Sequence, residues 1–213
     1  MSDEHESRSG DRADASSGLS RRSFLRGGAA GALATGALLG TEPVRGAAQA
    51  GETGASFVGP GEVGIELRVN GAARQLRVEP RVTLLDALRD RLDVTGPKKV
   101  CDRATCGACT VLEDGRPIYA CTRLAIEAEG REITTVEGLG NPDGLHPVQA
   151  AFVAHDAQQC GFCTPGFVVA ATALLAEHPS PTHDQVVQAL GGNLCRCGTY
   201  AGIRRVVHDP GRG

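Results

Sequence analysis

Cys101-Asp102-Arg103-Ala104-Thr105-Cys106-Gly107-Ala108-Cys109, and later Cys160-Gly161-Phe162-Cys163 with Cys195-Arg196-Cys197, are the stretches that decide how this chain is read. Together with Cys121 they hold all eight cysteines. Four follow the spacing C-x4-C-x2-C-x11-C and four the spacing C-x2-C-x31-C-x-C. The periodicity around the two sets differs. Val63-Gly64-Ile65-Glu66-Leu67-Arg68-Val69 alternates apolar and polar, as a half-buried strand does. Asn70-Gly71 is a two-residue hairpin turn, and a second strand runs through Leu76 and Val78. Thr83 and Asp86 open a helix whose Leu84, Leu85, Leu88 and Leu92 share a face, with Gly96-Pro97 as its stop. Beyond the first cysteine loop, Thr110–Glu113 and Pro117–Ala120 form a hairpin about Asp114-Gly115, and Ile133–Glu137 is a last strand.

After Gly138 the pattern turns helical: His146–Ala157, Phe167–Glu177, a helix from the capping box Thr182/Gln185 to Leu190, and Tyr200–Val207. The expected fold is α+β. A strand-rich unit, 63–137, carries the first cysteine set; an all-helical unit, 138–208, carries the second; 51–62 is a linker and 209–213 a tail.

Composition narrows the function. Among 213 residues there are five Phe, two Tyr and no Trp, so the core is thin and the cysteines are candidates to reinforce it. A net charge of −3 gives no basic footprint for nucleic acid. No apolar run reaches the roughly 18 residues of a membrane span. Gly59-Pro60-Gly61-Glu62-Val63-Gly64 is a literal GxGxxG, but it precedes a strand instead of following one, so it is not a dinucleotide site.

Residues 1–50 read as an address. Ser20-Arg21-Arg22-Ser23-Phe24-Leu25-Arg26 precedes a mildly apolar stretch, Gly27 to Gly40, and Ala48-Gln49-Ala50 offers a cleavage site. This resembles a twin-arginine export signal, with Arg26 at the position usually held by Lys. The expected location is the periplasm.

Export makes disulfides one reading of the cysteines, and zinc another. The first set has the spacing of a plant-type 2Fe–2S loop, in which small residues such as Gly107 and Ala108 let backbone N–H groups reach sulfur. Iron–sulfur is therefore favoured there. For the second set alone, iron–sulfur, zinc and disulfides remain open. A non-enzymatic binding protein, exported and stabilised by disulfides or zinc, is the alternative reading of the whole.

Read together, the two sets resemble the iron–sulfur subunit of the xanthine oxidase family of molybdenum hydroxylases. The matching text is Cys106-Gly107-Ala108-Cys109-Thr110, Gln159-Cys160-Gly161-Phe162-Cys163-Thr164-Pro165-Gly166 and Gly192-Asn193-Leu194-Cys195-Arg196-Cys197-Gly198-Thr199-Tyr200, with Leu145–Ala150 and Ile133–Leu139 between them. The export signal and the Cys-Gly-Thr-Tyr ending look most like periplasmic aldehyde oxidoreductase small subunits. The resemblance implies a plant-ferredoxin-like β-grasp holding one 2Fe–2S cluster on Cys101, Cys106, Cys109 and Cys121. It implies a four-helix bundle holding a second on Cys160, Cys163, Cys195 and Cys197. Gln159 and the segment at Cys197 would approach a molybdenum–pterin cofactor bound by a large partner subunit. Electrons would leave through both clusters to a flavin subunit, a cytochrome or a soluble carrier. No residue of this chain is expected to act as a catalytic acid, base or nucleophile. One departure stands out: the family usually has Gly at the position of Ala104, which predicts a slightly altered loop with its cluster retained. His146, His155, His178 and His183 are expected in surface or capping roles, since the cysteines already fill two sets of four.

Overall fold

The computed structural model describes residues 58–141 and 143–209. The expected export signal, most of the linker and the end of the tail lie outside the described residues. The chain is mixed α and β, with a five-stranded sheet and helices. β1 (Val63–Val69) and β2 (Ala72–Val78) pair antiparallel with Val69 opposite Ala72. Asn70 and Gly71 both take left-handed backbone, φ 52° and 76°, as a type I′ turn requires. The alternation in β1 turns Ile65, Leu67 and Val69 inward. β3 (Thr110–Glu113) and β4 (Arg116–Tyr119) form the second hairpin, and β5 (Glu132–Thr134) lies between β1 and β3. The order is β2-β1-β5-β3-β4, antiparallel except for β1 beside β5.

The first helix is shorter than Gly96-Pro97 predicts. It is an α-turn, α1 (Leu84–Asp86), running into a π-turn at Ala87–Arg91. Thr83 caps it, its Oγ1 accepting from the Asp86 N–H at 3.1 Å. Asp93 then turns left-handed, φ 55°, and the Val94 N–H donates back to the Leu88 carbonyl at 2.9 Å, which closes the helix early. Leu84, Leu85 and Leu88 are wholly buried against the sheet. Each contributes roughly 1.5–3 kcal/mol by leaving water. The last strand also stops before Glu137. The Thr135 N–H leaves the ladder and donates to Asn70 Oδ1 at 2.8 Å, and Val136–Gly138 winds into a 3-10 turn.

Four helices follow: α2 (Pro147–Ala154), α3 (Thr164–Glu177), α4 (His183–Leu190) and α5 (Tyr200–His208). His146 caps α2 through Nδ1, and Thr182 and Gln185 form the reciprocal capping box of α4. His178 ends α3, half-exposed. His155 instead is buried at the end of α2, its Nε2 3.0 Å from the Asp209 carbonyl. α3 is apolar nearly all round because it lies between β3 on one side and the other helices on the other. Phe167 sits wholly buried on it, edge-on to Tyr200 with ring centroids 6.2 Å apart. One buried cluster runs from Ile65 to Ile133 and a second from Val148 to Val207.

Candidate metal centres

The first set of cysteines is built by a loop and a hairpin. Cys101 and Cys106 lie half-buried in the loop after α1; Cys109 and Cys121 are buried where β3 begins and β4 has just ended. The Ala120 N–H donates to the Cys109 carbonyl at 3.3 Å, which brings Cys121 beside Cys109. Asp102, Ala104 and Gly107 are left-handed, φ 55°, 54° and 67°. These reversals curl the main chain so that N–H groups face inward, a concavity suited to anionic sulfur. The Thr105 N–H donates to Cys101 Sγ and the Ala104 N–H to Cys121 Sγ, both at 3.3 Å.

Within this set the thiols neighbour one another, Cys101 beside Cys106 and Cys109 beside Cys121. Burial pushes the Cys101 thiol up, but the N–H groups of Arg103, Thr105 and Cys106, with the Cys106 thiol, outweigh it and hold the thiol at about 7. Burial dominates at Cys109, which is pushed up to about 12. Lys99 does not stand free beside this loop. Its Nζ sits 2.7 Å from Asp86 and 3.3 Å from Asp102, tying the loop to α1. Lys98 Nζ donates to the Thr95 carbonyl at 2.7 Å.

The second set comes from two helix approaches. Cys163 stands at the N-cap of α3, with Cys160 exposed three residues before it. Cys195 and Cys197 lie on the connection from α4 to α5, the first buried and the second exposed. The pairs here are Cys160 with Cys197 and Cys163 with Cys195. Burial lifts Cys163 to about 12. Burial also acts on Cys195, but the Thr199 hydroxyl and N–H, with the Cys163 thiol and the Cys197 N–H, outweigh it and hold the thiol at about 7. Cys195 Sγ lies 3.1 Å from Thr199 Oγ1, and the Cys195 N–H donates to Tyr200 Oη at 2.9 Å. Gln159 is exposed beside Cys160, and Arg196 is exposed between Cys195 and Cys197.

The two sets are pinned together. The Leu194 N–H donates to the Cys106 carbonyl at 2.9 Å. The buried Asn193 amide donates to the Gly107 carbonyl at 2.9 Å and reaches Thr110 Oγ1 at 3.3 Å. Gly107 has no room for a side chain: a Cβ there would lie 2.6 Å from that amide.

The donor set fits two two-iron clusters. Each set offers four thiols, the number a two-iron cluster would take, with N–H or hydroxyl groups at some of the sulfurs. Among the described residues no three His, Cys, Asp or Glu side chains converge on a single-ion position.

Comparison with known proteins finds two families along the chain. Residues 67–135 match the 2Fe-2S iron-sulfur cluster binding domain, and residues 135–208 match a second family described as a [2Fe-2S] binding domain. The aldehyde oxidoreductase iron-sulfur-binding subunit PaoA of Escherichia coli O157:H7 is 48% identical over 160 residues, covering 68% of this chain and 70% of PaoA. The nicotine 6-hydroxylase small subunit of Paenarthrobacter nicotinovorans is 48% identical over 151 residues, covering 70% of this chain and 91% of its own. The crystal structure of quinoline 2-oxidoreductase from Pseudomonas putida 86 superposes with a TM-score of 0.67 at 45% identity, over 70% of this chain and 92% of that one. This chain is a 2Fe–2S small subunit of the xanthine oxidase family.

As a member of that family it carries two 2Fe–2S domains. Among the described residues no helix is long and apolar enough to cross a membrane. Reading the sequence residue by residue missed the supporting contacts of Asn193, Leu194, Thr199 and Tyr200. All four fall in the stretch that carries the resemblance, but nothing in their type or spacing announces which sulfur or carbonyl they meet.

Proposed function

We propose that this chain is the electron relay of an aldehyde oxidoreductase-type molybdenum hydroxylase. The observation that carries the proposal is the pairing of eight thiols into two sets of four, each set with hydrogen-bond donors at sulfur. Cys101, Cys106, Cys109 and Cys121 hold one 2Fe–2S cluster; Cys160, Cys163, Cys195 and Cys197 hold the other. When bound, each cluster accepts and passes on one electron at a time. The chain's own work is to hold these sulfurs as thiolates, exclude water from the buried ones and fix the two loops relative to each other. The relatives named above are subunits of aldehyde oxidoreductase and nicotine 6-hydroxylase, which supports a role beside a large catalytic subunit. In this reading that subunit holds a molybdenum–pterin cofactor, and the exposed Gln159 and Cys197 face it. A flavin subunit, a cytochrome or a soluble carrier takes the electrons.

The strand-rich part, 63–137, is on this reading a plant-ferredoxin-like β-grasp domain. The part 138–208 is a helical domain of the four-helix-bundle type. Residues 1–50 direct twin-arginine export to the periplasm after the clusters are in place. Replacing both Arg21 and Arg22 by Lys tests this, with mature protein in the periplasmic fraction as the readout.

The test of the relay is the protein purified from the cytoplasm without oxidant. The expected result is a brown protein with about four irons per chain, as two two-iron clusters require, whose visible absorption bleaches with dithionite. Cys109→Ala and Cys163→Ala should each leave about two irons. A colourless protein holding zinc overturns the reading.

A further inference from the structure

Thr199 occupies the N-cap of α5, where a threonine hydroxyl ordinarily accepts a hydrogen bond from an N–H of the first turn. Here it makes no such bond. Its backbone, at φ −72° and ψ 18°, is not in the extended region usual for a cap. Instead Oγ1 lies 3.1 Å from Cys195 Sγ. Between two neutral groups either atom could donate. With Cys195 ligated as a thiolate the sulfur has no proton, so the hydroxyl must be the donor. The neighbouring Tyr200 also holds Cys195, its hydroxyl accepting the Cys195 N–H at 2.9 Å. The donors to sulfur in the first set, the Ala104 and Thr105 N–H groups among them, are main-chain groups. Among the described residues Thr199 is the hydroxyl committed to a candidate ligand sulfur.

We infer that Thr199 is a positioning and potential-tuning residue of the second centre, its hydroxyl donating to the Cys195 thiolate. The inference rests on the ligand assignment proposed above. A reduced centre carries one more negative charge than an oxidised one, and a donor at sulfur stabilises that charge more. The hydroxyl therefore raises the potential of the second centre and leaves the first alone. It makes the second centre easier to reduce without altering any ligand.

The test is a redox titration of the iron-loaded protein followed by electron paramagnetic resonance. Thr199→Val, nearly isosteric and without a hydroxyl, should move one of the two midpoint potentials to a more negative value. Thr199→Ser should restore it. Two clusters present with both potentials unmoved in Thr199→Val overturn the inference and leave the relay standing. Absence of iron from the wild-type protein overturns the relay itself. Should Thr199→Val fail to load, the wild type supplies the measurement. Pulsed resonance of its reduced second centre in H2O and D2O should show an exchangeable proton that Thr199→Ser retains and Thr199→Ala loses. An unchanged exchangeable signal in Thr199→Ala likewise overturns it.

Discussion

Ala104 takes φ 54°, a conformation that glycine adopts freely and alanine does not. The loop keeps its function there because the N–H, not the side chain, faces Cys121 Sγ. Ala104→Gly relieves about 1 kcal/mol of backbone strain and gives back a similar amount through the freer unfolded chain. The expected outcome is a protein with both clusters and a denaturant midpoint close to wild type; loss of a cluster would contradict it. Asp114 shows a pH effect at the same scale. The Glu132 N–H and the Arg131 guanidinium, each 3.0 Å away, hold its carboxyl below the ordinary 3.8. Because the folded pKa is depressed, the turn's contribution is present above the ordinary value and is lost as pH falls through the folded one. Asp114→Asn removes the charge and one of the two acceptor oxygens. The stability difference between wild type and variant, from denaturation at a series of pH values, should be constant above about pH 5 and shrink below it.

α3 crosses close against the first cysteine loop. A Cβ on Gly166 would lie 2.3 Å from the Gly107 carbonyl oxygen and 3.2 Å from the Asn193 amide. Gly166→Ala should therefore destabilise by about 1–3 kcal/mol, the usual cost of overpacking. Gly64→Ala, with open space around it, is the control. Urea titration of both variants checks the difference. The elements themselves were largely legible in the sequence. Alternation marked β1, the Asn70-Gly71 turn marked its hairpin, and Thr182 with Gln185 marked the start of α4. The early end of α1 was not legible, because a back-bond from Val94 competes with the visible Gly96-Pro97 stop. Nor was the short β5, since Asn70 captures the Thr135 N–H from far along the chain. The cysteine spacings announced two sets of four. The partition of each set into pairs depends on how β3, β4 and α3 bring distant residues together, and spacing does not encode that.

For the whole molecule, the two cores are small and poor in aromatics, and each borders a set of thiols with raised and lowered pKa values. Clusters bind the folded chain and not the unfolded one, so loading must stabilise it. Reducing the protein and stripping its iron with a chelator should lower the melting temperature, measured by calorimetry under anaerobic conditions. Equal melting temperatures would contradict a structural role for the metal. Phe162, Leu194 and Tyr200 are exposed beside the second set. The Leu194 to Cys106 hydrogen bond bears on timing as well as on shape. Because it and the Asn193 amide lock the two loops at a fixed interval, charge crossing between them waits on no hinge and needs no conformational gate. The crossing should be indifferent to solvent viscosity, leaving the pace of turnover to be set at the two ends of the relay.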